Sequence, residues 1–208
     1  MISEVENIDC MVGMAKYPDK YFELAIVDPP YGIDYTNRGN GGGMKDKSNW
    51  INHKQKQWDN KPPDKNYFEE LFRISKNQII WGSNYFPLPV TRCCLIWDKI
   101  QEFSGSDFEL AWTSFTSPAK AFRYSRVEAY ANQTKIHPTQ KPIKLYKWLL
   151  KNYAKEGDKI LDTHLGSGSS AIAAYDFGCD FVGMEIDKDY YDDSVKRFNI
   201  HKAQQTLF

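Results

Sequence analysis

Apolar residues fall along this chain in short runs of two kinds. FELAIVD, Phe22 to Asp28, is compact, partly β-branched and cut off by Pro29 and Pro30, which predicts a buried strand. After Pro62 and Pro63, DKNYFEELFRISKN carries apolar residues at 67, 68, 71, 72 and 74, a helical stripe with Asp64 as its cap. QIIWGSNYF, CCLIWDK and FELAWTSF read as further strands. Residues 114–137 mix polar and aromatic positions with neither period, and no element is assigned there. A helix is expected from Thr139 through QKPIKLYKWLLKNYA, with Leu145, Trp148, Leu149 and Tyr153 on its core face. KILDTHLGSGSSAIAAYDFGCDFVGMEID then reads as strand, glycine-rich turn, alanine-rich helix, turn and strand, and YYDDSVKRFNIHKA as a last helix.

Strands alternating with helices in this order predict an α/β fold with a doubly wound sheet. Nothing repeats, no composition shift divides the chain, and 208 residues suffice for one core, so residues 1–208 are expected to form one domain. The polar stretch 32–61 interrupts the pattern. Its glycines, Gly39 and Gly41 to Gly43, argue against a rigid element, and a loop of that length usually has a job or is disordered.

Composition narrows the picture. Hydrophobic residues make up 41% and charged residues 26%, as in ordinary folded proteins. The 27 basic and 27 acidic residues cancel, so no purely electrostatic nucleic-acid binder is indicated. Locally, Arg38, Lys45, Lys47, Lys54, Lys56 and Lys61 outnumber Asp46 and Asp59, and such a basic loop can meet phosphates. The four cysteines lack CxxC spacing, and Cys93 and Cys94 are expected to be buried as small hydrophobes. No metal site is expected. With no signal peptide and no run of 18 apolar residues, the expectation is a reduced, cytoplasmic protein without a membrane span.

Two places carry candidate chemistry. Asp162 ends a strand, and Gly166-Ser167-Gly168 opens a helix, where glycines let backbone amides approach a ligand. The turn lacks the GK[ST] ending of a phosphate-binding Walker loop and the last glycine of GxGxxG. Glu185, at the next strand tip, can accept hydrogen bonds from a ribose diol, so a nucleoside-bearing cofactor suits the pair. The alternative is a strand-tip acid that only caps the following helix. At the other place, Asp28-Pro29-Pro30-Tyr31 combines a carboxylate, carbonyls left free by proline's missing N–H and an aromatic face. Rigid acceptors beside a ring suit a planar base with an exocyclic amino group.

DPPY together with a late DxxxGSG turn is similar to the amino-group DNA methyltransferases that use S-adenosylmethionine. The aspartate resembles their N6-adenine branch more than the N4-cytosine branch, and DPPY ahead of the glycine turn resembles the permuted β group. The likeness covers most of the chain: Asp9-Cys10 at the start, IIWGSNYF, LIWDK, and HPTQKP at 137–142. It implies a Rossmann-like fold with a single mixed sheet and helices on both faces. It also implies Asp162, Gly166, Ser167 and Gly168 on the methionine side of the cofactor, Glu185 on its ribose and Asp9 and Cys10 near its adenine. His137, Thr139, Gln140 and Lys141 would support the amino-acid end. Asp28, Pro29, Pro30 and Tyr31 would form the catalytic corner, with Asp28 and the Pro29 carbonyl orienting the amine and Tyr31 stacking on a base flipped out of double-stranded DNA. Phosphate contacts are expected from the 38–61 loop, Arg123 and Arg126.

The chain departs from the family pattern twice. DTHLGSGS stands where DPFxGSGT is usual, which puts His164 in the aromatic position as a cofactor contact, the alternative being a cap or packing residue. Only about 25 residues separate FELAW from HPTQKP, where the family commonly has a larger target-recognition region, so either 114–137 is a short or relaxed recognition segment or the 32–61 stretch contributes to recognition. Compact enzymes of this kind resemble solitary phage or prophage methyltransferases, relatives of those in restriction-modification systems, and the group often forms homodimers. Alternatives are N4-cytosine methylation, RNA methylation or an inactive DNA-binding relative.

Overall fold

β-Branched and aromatic runs become strands β1 (Ser3–Asn7), β2 (Phe22–Val27), β3 (Ser75–Trp81), β4 (Cys94–Asp98), β5 (Phe108–Thr113), β6 (Lys120–Arg123), β7 (Lys159–Asp162) and β8 (Asp180–Glu185). The helices are α1 (Cys10–Met14), α2 (Lys65–Ile74), α3 (Arg126–Tyr130), α4 (Ile143–Tyr153), α5 (Ser169–Phe177) and α6 (Lys188–Gln205). The structure is a computed structural model that describes residues 3–33, 59–100, 106–131 and 135–205. Most of the polar 32–61 loop, including Arg38, Lys45, Lys47, Lys54 and Lys56, lies outside the described residues, as do 132–134 of the expected recognition segment.

The strands form one eight-stranded sheet in the order β1-β8-β7-β2-β3-β5-β4-β6. Among them only β5 runs against the others, pairing antiparallel with both β3 and β4. This is the expected α/β, doubly wound mixed sheet. The centre explains why β2 is apolar throughout. Leu24 and Ile26 pack towards α4 and α5, whereas Ala25 and Val27 pack towards α1 and α2, so both faces are covered. From β7 the chain crosses to β8 on one side; from β2 it crosses to β3 on the other. The carboxyl ends of β7 and β2 therefore flank a topological switch point, the crevice where open α/β sheets place ligands. Asp162 and Asp28 stand at those two ends.

Several elements differ from the reading by pattern. β1 was not expected, because SEVEN has no apolar alternation; as an edge strand it needs only backbone pairing with β8. β3 begins at Ser75, directly after α2, so Ser75 to Asn77 belong to the strand and not to the helical segment. Asp64 does cap α2, accepting from the Tyr67 N–H at 3.2 Å. α4 begins at Ile143, not Thr139. Pro142 disfavours helical geometry at Lys141, which leaves 137–142 as a turn against the crevice. Residues 114–137 contain β6 and α3, both short. Cys93, just before β4, is buried, but Cys94, the first residue of β4, is exposed, since successive extended residues point to opposite sides. Among the described residues no helix is long and apolar enough to cross a membrane.

Candidate active site

Proline ends β2 at the crevice, and its rigidity fixes where Asp28 and Tyr31 project. The Tyr31 hydroxyl donates to Asp28 Oδ1 at 2.6 Å, while the Lys141 ammonium donates to Asp28 Oδ2. Lys141 also reaches Glu109 Oε2 at 3.0 Å, and Lys99 reaches Glu109 Oε1 at 2.9 Å. Two lysines and two carboxylates thus form one partly buried chain from β5 to the end of β2. Below Tyr31, Asp59 is buried and its Oδ1 accepts from the N–H groups of Tyr31 (2.7 Å) and Gly32 (2.9 Å), pinning the turn.

The charges in this chain set one another. Burial pushes Asp28 upward, and Glu109 adds to that, against the pull of Lys141. Burial would also push Glu109 upward, but the Lys141 and Lys99 ammoniums outweigh it and hold its carboxyl at about 2. Lys141, between two carboxylates, keeps its proton more tightly than an ordinary lysine even though burial opposes its charge. The sequence pattern singled out neither Glu109 nor Lys99. Glu109 is the second residue of β5 and Lys99 follows β4 directly after Asp98, and nothing local distinguishes either from a solvated strand edge.

Tyr31 is stacked on Tyr85, with ring centroids 4.8 Å apart and planes 11° apart. Gly82, at φ +71°, makes this possible: a Cβ there would lie 2.1 Å from Tyr31 Cε1. Tyr85 is a further aromatic face the sequence left unassigned.

The second group forms around β7 and β8. Glu185 Oε2 accepts from the Gly166 N–H at 2.8 Å and Oε1 from the Asp187 N–H at 2.9 Å, so the acid clamps the glycine turn. Asp162 is buried inside the turn. Its oxygens accept from the His164 N–H (3.0 Å) and the Ser170 hydroxyl (2.6 Å), and burial raises its carboxyl to about 7. Asp9 caps α1 by accepting from the N–H groups of Met11 and Val12. Burial lowers His164 to about 4 and keeps it neutral, and its ring stands edge-on to Tyr67. Cys10 Sγ lies 4.0 Å from His164 Nε2, and burial raises the thiol to about 12, which makes it a packing group and not a nucleophile. His137 packs against Tyr190 and makes a 3.1 Å hydrogen bond with the Thr139 hydroxyl.

Two cavities of ≈ 310 Å³ result. One is lined by Asp9, Cys10, His137, His164, Gly166 and Glu185, among others. The other is lined by Pro29, Tyr31, Tyr85, Trp97, Lys99 and Glu109, among others. Asp28, Pro30, Thr139, Gln140 and Lys141 line both, so the cavities meet at the DPPY corner. Of the residues expected around a cofactor, Asp162 and Gly168 are not on the wall; they hold the turn from behind.

The first cavity has the size of a small-molecule site. Its donor set fits S-adenosylmethionine, the group that the resemblance implies. Glu185 offers carboxylate oxygens at a strand tip for a diol. Gln140, on the wall shared by both cavities, is buried, with Oε1 held by the Ile136 N–H at 3.1 Å and Nε2 without a hydrogen-bond partner among the described residues. An orphaned buried donor calls for a ligand acceptor.

Comparison with known proteins bears on the family and the fold. The model of a DNA methylase family, N6_N4_Mtase, matches residues 45–196. The chain is 24% identical over 205 residues to the putative methylase YubD of Escherichia coli (strain K12), covering 88% of this chain and 84% of that one. It is 29% identical over 141 residues to the type II methyltransferase M2.DpnII of Streptococcus pneumoniae, covering 67% of this chain but spanning only 48% of that one. Among solved structures, the M1.HpyAVI–SAM complex superposes with a TM-score of 0.59 at 17% identity, over 96% of this chain and 100% of that one. At that identity the likeness bears on the fold.

Proposed function

We propose that this chain, which belongs to the N6_N4_Mtase family of DNA methylases, transfers the methyl group of S-adenosylmethionine to the N6 amine of an adenine flipped out of double-stranded DNA. The observation that carries this reading is the junction itself: two cavities, one suited to a cofactor and one to a planar base, share Asp28, Pro30 and Lys141.

S-adenosylmethionine, when bound, supplies an activated methyl group on a positively charged sulfur. The residues of the chain supply orientation and electrostatics. An aromatic amine is a weak nucleophile because its lone pair is delocalised into the ring. A carboxylate has about four lone-pair sites, and Tyr31 and Lys141 occupy one on each oxygen of Asp28, leaving one on each free. Asp28 and the Pro29 carbonyl then accept from the amine and favour its tetrahedral form, which directs the lone pair towards the cofactor cavity. Lys141 and the Tyr31 hydroxyl hold the Asp28 carboxylate in one orientation throughout. Asp28 rather than serine at the head of the motif favours adenine over cytosine. Within 114–137, β6 and α3 are the target-recognition segment in this reading.

The test is to incubate the protein with isotope-labelled S-adenosylmethionine and unmethylated duplex DNA, digest to nucleosides and identify the labelled species by mass spectrometry. Labelled N6-methyladenine supports the reading. Labelled N4-methylcytosine would replace the base while keeping the reaction, and cofactor binding without any labelled nucleoside would overturn DNA as the substrate.

A further inference from the structure

The base cavity has four cations on its wall, Lys99, Lys141, Arg126 and Lys135. Lys99 and Lys141 are spoken for by Glu109 and Asp28. Arg126 and Lys135 form no ion pair among the described residues. Lys135 lies 5.5 Å from the Tyr130 ring, which is a weak partner for a charge inside a cavity. Burial, then the neighbouring Arg126 charge, pull the Lys135 ammonium down to about 8, with Lys99 adding to that and Glu109 opposing it. Two like charges on one partly buried cavity wall are unfavourable until an anion joins them.

The helix that carries Arg126 is firmly mounted. Ser125 caps α3, its hydroxyl oxygen accepting from the Val127 N–H at 3.1 Å, and the Tyr130 hydroxyl at the other end donates to the Gln140 carbonyl. α3 is thereby tied to the turn that carries Lys141. Arg123, the other basic residue nearby, is instead paired with Asp98 at 2.9 Å. Neither Arg126 nor Lys135 lines the cofactor cavity, so an anion at this pair belongs to whatever fills the base cavity. A base offers acceptors but no negative charge. The phosphodiester attached to its sugar does, and a guanidinium fork matches phosphate oxygens in pairs.

Resting on the function above, we propose that Arg126 and Lys135 form a phosphate seat that holds a phosphodiester flanking the flipped-out nucleotide. The seat acts after extrusion and fixes the nucleotide by its backbone, while the DPPY corner fixes the base.

The test uses a duplex carrying the methylation site of this protein, mapped beforehand from the labelled product, and measures binding without methyl donor. A second set of duplexes replaces each flanking phosphodiester in turn with an uncharged methylphosphonate. Arg126→Ala and Lys135→Ala should each weaken binding to the native duplex by about tenfold or more and lower the salt slope by about 1. On one of the methylphosphonate duplexes the same variants should lose nothing further, and Lys135→Arg should bind the native duplex almost as wild type. Equal losses on native and both neutral duplexes, or no loss on the native one, would overturn the seat. Unchanged thermal unfolding of the variants excludes a folding defect. If the mapped base is cytosine, the adenine reading fails and the phosphate test stands unaltered.

Discussion

Lys141 and Asp28, 113 positions apart in the chain, form an ion pair in which the lysine side chain is 2% exposed and the aspartate 16%. The lysine comes from the turn before α4 and the aspartate from the end of β2, so the pair locks the two cavities at their shared wall. A buried lysine is unusual unless its charge is matched, and here Glu109 provides the second carboxylate.

Removing that cation leaves two partly buried carboxylates facing Lys99 alone. Lys141→Ala is expected to cost about 3–5 kcal/mol of stability, the range for breaking a buried pair on one side. Adding Glu109→Gln to it should recover part of the loss. Urea denaturation of the two variants checks both statements, and a double variant less stable than Lys141→Ala would refute the shared-lysine account.

Asp28→Asn keeps the shape of the corner but removes its charge. The turnover rate should fall by roughly 10²–10³, the scale of losing one aligned electrostatic group. Cofactor affinity, read by calorimetry, should change little, because Glu185 and the glycine turn are untouched. Retained turnover would remove Asp28 from the role assigned to it.

Asp162 links stability to pH. Its carboxyl titrates at about 7 when folded, chiefly through burial, against about 3.9 in an unfolded chain. The folded state therefore holds the proton more tightly. The contribution is full below about pH 3.9 and is lost as pH rises through about 7. Asp162→Asn removes this slope, so the stability of wild type relative to the variant should decline between those limits, by up to about 1.36 kcal/mol per unit. Denaturation midpoints measured across the range test it; parallel curves would count against a raised Asp162.

Gly82→Ala should disturb Tyr31 and, through its hydroxyl, the orientation of Asp28, while leaving every charged residue of the two cavities in the sequence. The new Cβ would sit 2.1 Å from the ring at a backbone angle that costs an L residue about 1–2 kcal/mol. Tyr31 must then leave Tyr85 or tilt. Turnover should drop with little change in cofactor affinity, and a crystal structure of the variant would show the displaced ring. An unmoved Tyr31 with wild-type turnover would contradict this coupling.

The sequence by itself determined the elements with strong local signals. β2 is legible because it is apolar on both faces and stopped by two prolines. β7, α5 and β8 are legible because a glycine turn separates a strand from an alanine-rich helix. DPPY and the GSG turn could be placed at strand ends for the same reason, and the doubly wound class follows from the alternation. Tertiary structure decided what depends on neighbours far along the chain. β1 is a strand because β8 offers it a backbone edge, not because of its side chains. Cys94 turns outward by its place in the pleat. Glu109 and Lys99 look like solvated charges in sequence and Lys141 is singled out only by the family resemblance, as a cofactor residue; the meeting of β5, β2 and the 137–142 turn joins the three into one ion-pair network with Asp28. Local pattern reports on burial and backbone conformation residue by residue; the pairing of charges is a property of distances between elements, and those are set only when the sheet assembles.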